Sequence, residues 1–484
     1  MTGSLHVVDE YALSPMQQGM LSQTLDAPAG GVYSIVVSYR LHGPLDAARF
    51  AEAWRRVITH HPILRSSFEW QGRPDAVQLV HEQAPLEVHE EDWRGLPADT
   101  QARRLAHFLE EDQRRGFDVR RAPLLRIALF ALGDGVHEFV LTHHHLLMDG
   151  SCKPLLFAQV FAAYDALAAG APAALEPARP FREFVEWMRA QPLDDAETFW
   201  RGEMTGVNGP TPLWSGDATP PTPARDYEEH RVRLDAAASD ALRLWARRQR
   251  LTLNTAVTGA WALVLASGSG SDDVVFGATL NGRPADLDGV EAMLGLFINS
   301  IPVRVRVTRE ATAAVWLRAV QSGQAEAREH GLAPLGSIMR WSGLGAGRPL
   351  FESLLVFENN AGYGAGHERY GDIVIAAVTP VIRNSLPLTL RCVPDKEIEL
   401  HVLYDARRFG RARVAAVAAQ AMAALNAMPG LEERPIAALL EQIGALEAAH
   451  QAEGARAYDA HRRDALRSLR QTGRARAANP EEHP

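Results

Sequence analysis

Three adjacent histidines, His143, His144 and His145, open the run His143-His144-His145-Leu146-Leu147-Met148-Asp149-Gly150. A neutral imidazole, with an ordinary pKa of about 6.5, can accept a proton from an attacking amine or hydroxyl near pH 7. General-base help of this kind is worth on the order of 10²–10⁴ in rate. The same triplet also fits polar residues satisfied at a strand end. Zinc fits poorly, because neighbouring strand residues point apart and no second Cys, His or Glu cluster stands at ligand spacing. Cys152 follows the turn and is read either as a nucleophile or as a small buried side chain. No Gly-x-Ser-x-Gly elbow and no phosphate-binding glycine loop with its lysine occurs.

The elements around the histidines are those that could hold an imidazole at a cleft. Two apolar runs, 124–132 and 137–142, read as strands joined by Gly133-Asp134-Gly135, and the second runs directly into the triplet. Strand alternation puts His143 and His145 on one side and His144 on the other. Gly150 permits a sharp turn and Ser151 can cap the next helix, whose face carries Leu156, Val160, Tyr164 and Leu167. Upstream, Ser14-Pro15-Met16-Gln17 predicts a capping-box helix start. A strand is expected over 32–39. A helix capped by Asp46 follows, with Phe50, Trp54, Val57 and Ile58 on its buried face, and then a strand over 63–68. The second half repeats this grammar loosely, with a strand near 229–234, a helix beginning at Asp235, and strands near 274–280, 301–307, 354–358, 373–378, 386–393 and 398–404. Two similarly built mixed α/β lobes are the economical reading. The proline-rich stretch 207–226 reads as a linker or surface excursion.

Bulk properties narrow the function further. The 484 residues exceed one ordinary core. Apolar residues make up 46% and charged residues 23%, an ordinary globular balance, and a net charge of −9 argues against nucleic acid as the main partner. Two cysteines, Cys152 and Cys392, argue against a secreted disulfide framework and suit a reducing cytoplasm. No signal peptide or membrane span is read. The end of the chain shifts to Ala, Glu, Arg and Gln, and residues 461–476 hold six arginines against one aspartate. That tail is read as a solvated helix or disordered segment, with docking to an acidic partner as the alternative.

The motif His144-His145-Leu146-Leu147-Met148-Asp149-Gly150 resembles the His-His-x-x-x-Asp-Gly signature of nonribosomal peptide synthetase condensation domains. Further blocks are similar and follow the family's order: residues 14–21, 60–68, 276–284, 295–304, 330–335, 349–359 and 404–409. Together they span roughly residues 10–430. The resemblance implies two chloramphenicol-acetyltransferase-like lobes, 1–182 and 183–440, forming a V-shaped pseudo-dimer with the active site in a tunnel between them, and a tail over 441–484. It implies an acyl donor on the phosphopantetheine arm of a carrier protein, with no cofactor bound directly, and a monomeric enzyme. His145 is then the general base or the stabiliser of a charged intermediate, within a motif completed by His144, Asp149 and Gly150. Asp149 is expected to hold the loop through an ion pair with Arg283. Ser151, Lys153, Asn299 and Ser300 are expected to contact substrate.

One departure stands out. The family continues Asp-Gly-Trp-Ser, whereas this chain has Asp149-Gly150-Ser151-Cys152-Lys153. The change is neutral drift, or it marks an unusual acceptor met by Lys153. There is no room for an adenylation domain, so the chain stands alone or is part of a larger synthetase, and its product is an amide or an ester. Two other readings compete: an epimerisation-type isomerase of the same fold, and a non-catalytic recruitment module. Retention of His144, His145, Asp149 and Gly150 argues against the second.

Overall fold

Hydrophobic alternation in the segment before the triplet builds the sheet that carries it. The computed structural model describes residues 5–26, 31–172, 175–214, 227–345, 347–358, 368–381, 386–430 and 433–477. It divides into two compact units, each discontinuous in sequence. The first holds residues 1–210, 276–304 and 323–395; the second holds 211–275, 305–322 and 396–484.

In chain order the elements begin with β1 (Val7–Ala12), α1 (Pro15–Asp26), β2 (Ser34–His42), α2 (Ala47–His60), β3 (Ser66–Glu69), β4 (Val77–His81) and β5 (Glu87–Asp92). They continue with α3 (Ala98–Arg115), β6 (Leu125–Gly133), β7 (Val136–His144), α4 (Lys153–Ala168), α5 (Phe181–Ala190) and α6 (Asp194–Glu203). Next come β8 (Tyr227–Arg233), α7 (Ala236–Arg248), α8 (Leu253–Ser269), β9 (Asp273–Asn281), β10 (Ile298–Arg306), α9 (Ala313–Glu329) and α10 (Leu335–Trp341). The last are β11 (Ser353–Phe357), β12 (Glu368–Tyr370), β13 (Ile373–Val381), β14 (Leu388–Pro394), β15 (Ile398–Asp405), α11 (Arg411–Ala427) and α12 (Ile436–Ala477).

The first unit contains a three-stranded sheet, β1-β4-β3, and a six-stranded sheet in the order β12-β13-β2-β7-β6-β5. Its other strands run in the order β10-β9-β11-β14. In the six-stranded sheet β6 and β7 form the expected hairpin, with Leu125 opposite His143, and β2 flanks β7 with Ser34 opposite His144. The sheet is completed from far along the chain: β13 pairs antiparallel with β2 from Val374↔His42 to Val381↔Val36. In the second unit β15 and β8 pair antiparallel.

Alternation then sorts the faces of β7. Phe139 and Leu141 point to the side covered by α2 and α4, where Phe50 stands edge-on to Phe139 at 5.0 Å and Trp54 lies 5.6 Å away. Val140 points to the opposite side with Phe130, Trp93 and Leu109 of α3. On that side α3 is also pinned electrostatically. Arg126 donates to Asp112 Oδ1 at 2.6 Å, Thr142 donates to the other carboxylate oxygen, and all three side chains are buried.

Several local readings hold. Asp46 Oδ1 accepts from Arg49 N at 2.9 Å and Asp235 Oδ1 from Ala238 N at 2.8 Å, capping α2 and α7. Ser14 Oγ accepts from Gln17 N at 3.2 Å while Gln17 Oε1 accepts from Ser14 N at 3.0 Å, a reciprocal capping box. The expected strand over 63–68 is corrected. Residues Pro62–Arg65 form a 3₁₀ turn and the strand starts only at Ser66, because proline at the first position presets a helical φ. Of the proline-rich stretch, residues 215–226 lie outside the described residues, as does Asn359 in the block 349–359. The tail is helical through Ala477, as part of α12, and residues 478–484 lie outside the description.

Candidate active site

The three histidines meet different fates although they are neighbours. The strand ends at His144, so the expected sharing of one strand face by His143 and His145 does not extend to residue 145, which lies in the turn that follows. His143 and His144 are each 1% exposed, whereas His145 keeps partial exposure. Burial, then the Lys153 charge and the two neighbouring rings, hold His143 well below the ordinary histidine range.

His144 is fully committed to structure. Its Nδ1 accepts from Leu146 N at 3.2 Å, so the ring proton sits on Nε2, 3.2 Å from Thr24 Oγ1. Thr24 donates its own hydroxyl proton to Met20 O at 2.8 Å and is therefore free to accept. Burial pushes His144 down to about 3, with the His145 ring adding to the effect. The ring is a neutral strut between α1 and the motif loop.

His145 is positioned through its backbone. Its N–H donates to Tyr33 O at 2.8 Å. Tyr33 has φ 60, in the left-handed region that a bulky residue rarely adopts. Its hydroxyl donates to Gln23 Oε1 at 2.5 Å. Tyr33 is a site-building residue that the sequence does not announce; only the glycines beside it hint at unusual backbone. Burial lowers the His145 pKa, the Asp149 carboxylate works against that, and Lys153 reinforces it. The ring is neutral at pH 7 and able to accept a proton.

Asp149 is 1% exposed and accepts four hydrogen bonds. Oδ1 takes Ser151 N at 2.9 Å and Ser151 Oγ at 2.5 Å; Oδ2 takes Phe297 N at 2.7 Å and Ile298 N at 3.1 Å. Its own N–H reaches Gly295 O at 3.2 Å. The carboxylate thus stitches the motif loop to the segment leading into β10. Gly150 begins the short 3₁₀ turn that follows.

The expected direct pair between Asp149 and Arg283 is not formed. Arg283 Nε donates to Ser151 Oγ at 3.3 Å, so the serine hydroxyl stands between the two charges. The rest of the guanidinium goes to Val290 O, to Met293 O at 3.0 Å and to Cys152 Sγ at 3.4 Å, with its carbon 3.9 Å from the Phe297 ring centre. Phe297 N–H and Ile298 N–H occupy Asp149 Oδ2, Ser151 occupies Oδ1, and the guanidinium goes to the carbonyls of Val290 and Met293 and to the ring face instead.

The residues expected at substrate are largely bound into the fold. The Ser151 hydroxyl donates to Asp149 within the loop and accepts from Arg283. Lys153 is buried in the first turn of α4. Asn299 Nδ2 donates to Gly331 O at 2.6 Å and Ala333 O at 3.1 Å, and its Oδ1 accepts from Ser300 N at 2.9 Å; Ser300 is half-buried. Cys152 is fully buried, and its thiol is pushed up to about 12 by burial and then by Asp149, which disfavours the thiolate nucleophile. Among the described residues no cluster of three or more His, Cys, Asp or Glu could hold a metal.

Gln17 is the other site-building residue. Beyond its capping role, Nε2 donates to Leu146 O at 3.0 Å and to Gln78 Oε1 at 2.9 Å, and Gln78 in turn donates to Ser66 Oγ at 2.8 Å. Beside these elements lies a small open-mouthed hollow, walled by the start of α1, by α5, and by residues Leu296, Phe297, Ile298 and Leu332.

The buried rings give a pH signature. In the unfolded chain these histidines titrate near the ordinary value of about 6.5. In the fold His144 does not take a proton until about 3, and His61, also pushed down by burial, until about 4. Below about 6.5 the unfolded chain therefore binds protons that the folded chain refuses, so stability falls as pH falls through that window. Each such ring contributes a slope approaching 1.4 kcal/mol per pH unit. Urea unfolding at pH 7.5 and pH 5.0 is expected to lose several kcal/mol, and His144→Gln to flatten the slope. Equal stability at the two pH values contradicts buried neutral rings.

The sequence matches the family described as Condensation domain over residues 7–439. It is 40% identical over 421 residues to one of the linear gramicidin synthase proteins of Brevibacillus parabrevis, covering 86% of this chain and 8% of that protein. It is 37% identical to chondramide synthase cmdD of Chondromyces crocatus, covering 78% of this chain and 10% of that one. The chain therefore spans only a small part of these relatives. Among solved structures, the X-domain from teicoplanin biosynthesis matches with a TM-score of 0.75 at 25% identity, over 90% of this chain and 98% of that one. The first condensation domain of the calcium-dependent antibiotic synthetase matches with a TM-score of 0.74 at 16% identity, over 89% and 99%.

Proposed function

Because the chain belongs to the condensation-domain family, we propose that it joins a carrier-bound acyl group to the nitrogen, or the hydroxyl oxygen, of an acceptor. The acyl group arrives as a thioester on the phosphopantetheine arm of a carrier protein. The observation that supports the reading is the contrast within the triplet: His143 and His144 are sealed, while His145 keeps partial exposure at the start of a loop held by Tyr33 O at one end and through Asp149 at the other.

The chemistry follows from that placement. The acceptor amine attacks the thioester carbonyl and the new C–N bond forms. His145 takes the proton released by the amine, and the imidazolium is favoured by the neighbouring Asp149 charge. As the C–S bond breaks, that proton passes to the leaving thiolate, so the ring returns neutral. Asp149 does not handle the proton; its two oxygens are saturated by the loop and the β10 segment.

The direct test is incubation with an acylated carrier protein and a panel of amines and alcohols, followed by intact mass. Acyl transfer to acceptor is expected. α-Carbon exchange without transfer would assign the isomerase reading. A second reading, recruitment of a partner without chemistry, is favoured by the likeness to the X-domain, a domain also solved in complex with OxyB from teicoplanin biosynthesis. Stable protein binding with no mass change would assign it.

A further inference from the structure

The placement of His145 depends on a turn whose supports lie elsewhere in the chain. His145 N–H ends on Tyr33 O at 2.8 Å, and Tyr33 holds φ 60. A bulky residue stays in that region only where its surroundings over-determine it. Ser34 N closes the turn by donating to Gly31 O at 3.0 Å, and the Tyr33 hydroxyl ties it to Gln23 of α1.

A further support is Gln113, in the last turn of α3, which grips the turn on both sides of Tyr33. Its buried side chain donates from Nε2 to Ser34 O at 3.0 Å. Its backbone carbonyl presses on Gly31, where a Cβ would stand 2.0 Å from Gln113 O. Gly31 has φ 57, so conformation and close approach both call for glycine at this point.

Gln113 is in turn held against the strand that carries the histidines. Arg126 of β6 donates to Asp112 O at 2.6 Å and to Gly116 O at 2.9 Å, satisfying carbonyls that a helix end leaves open. The Asp112 carboxylate accepts from Arg126 at 2.6 Å and from the Thr142 hydroxyl of β7. The contacts close a circuit, from β7 to Asp112, from Gln113 to the turn, and from Tyr33 O back to His145.

We propose that Gln113 is a positioning residue for His145, fixing the turn on which the place of the imidazole depends. The proposal rests on the acyl-transfer reading. A general base must stand within hydrogen-bond reach of the proton it takes, and a displacement of about 1 Å can cost on the order of 10²-fold in rate.

The test is Gln113→Met, which keeps the length of the side chain and removes the donor to Ser34 O. In acyl transfer from a carrier protein, kcat is expected to fall about 10- to 100-fold while KM stays within about twofold, since Gln113 makes no contact with substrate. The deciding measurement is the cycle with His145→Ala. In that background Gln113→Met should change the residual rate by less than about twofold, because a residue acting through the imidazole has nothing left to act on. A merely structural role lowers the rate equally in both backgrounds. That result, or a parental kcat in folded Gln113→Met, overturns the proposal. Gly31→Ala, which forces apart the other side of the same grip, should repeat the pattern. Should Gln113→Met not fold, Gln113→Leu makes the same comparison. Absence of turnover by the parent with every substrate counts against the acyl-transfer reading instead. Imidazole nitrogen NMR then decides the positioning independently. The His145 signal, identified by its loss in His145→Ala, should move in Gln113→Met, and an unmoved signal overturns the proposal.

Discussion

Replacing His145 with alanine is expected to lower kcat by about 10²–10⁴-fold while leaving the unfolding midpoint close to that of the parent. The expectation follows from how little the ring contributes to the fold. Among the described residues its Nδ1 has no hydrogen-bond partner, and what fixes the residue is its backbone N–H to Tyr33 O, which alanine keeps. His144→Ala should do the reverse. That ring joins Leu146 N to Thr24 Oγ1 inside the core, and its loss strands a buried N–H at a cost of about 1–3 kcal/mol. Single-turnover acyl transfer set against urea unfolding separates the two positions. An alanine at 145 that still turns over at the parental rate would remove the base from the mechanism.

The second large effect is at Asp149. Asp149→Ala leaves the N–H groups of Ser151, Phe297 and Ile298 without their acceptor, two of them tying segments almost 150 residues apart. At about 1–3 kcal/mol for each buried unsatisfied donor, a loss of roughly 3–5 kcal/mol is expected, a large share of the stability of an ordinary domain. Asp149→Asn keeps the volume but turns an amide N–H₂ toward donors on one side, so it should recover only part of the loss. The serine between Asp149 and Arg283 makes a sharper prediction. In a double-mutant cycle of Asp149→Asn with Arg283→Met, coupling should fall below about 1 kcal/mol in a Ser151→Ala background. Strong coupling that survives the serine's removal would mean the two charges meet directly.

Much of this site can be read along the chain because much of it is local. The hairpin of β6 and β7, the helix caps at Ser14, Asp46 and Asp235 and the helix after Gly150 depend on residues within a few positions of one another, and local sequence patterns report such arrangements. Residues 62–65 escape it because an apolar run does not distinguish a strand from a proline-started turn. His145 falls off the strand face that alternation predicts for it, because alternation carries no signal of where a strand stops. The deeper losses are long-range. Phe297 and Ile298 reach Asp149 through backbone N–H groups, which every residue type other than proline possesses, so no side-chain pattern points to them. Charge alone singles out Arg283, but the position of Ser151 decides which partner it meets. The pairing of β13 with β2 joins residues more than 300 positions apart and leaves no local trace.

Gln17 has a practical consequence for anyone redesigning this chain. Glutamate is as good as glutamine at closing a capping box, and a stabilisation scheme guided by helix statistics would accept that exchange. Here the amide nitrogen is spoken for twice, by Leu146 O and by Gln78 Oε1, and a carboxylate has no proton to give either. The exchange would leave the helix start intact on paper and set oxygen against oxygen beneath the motif loop, so helix scoring alone is a poor guide at this position.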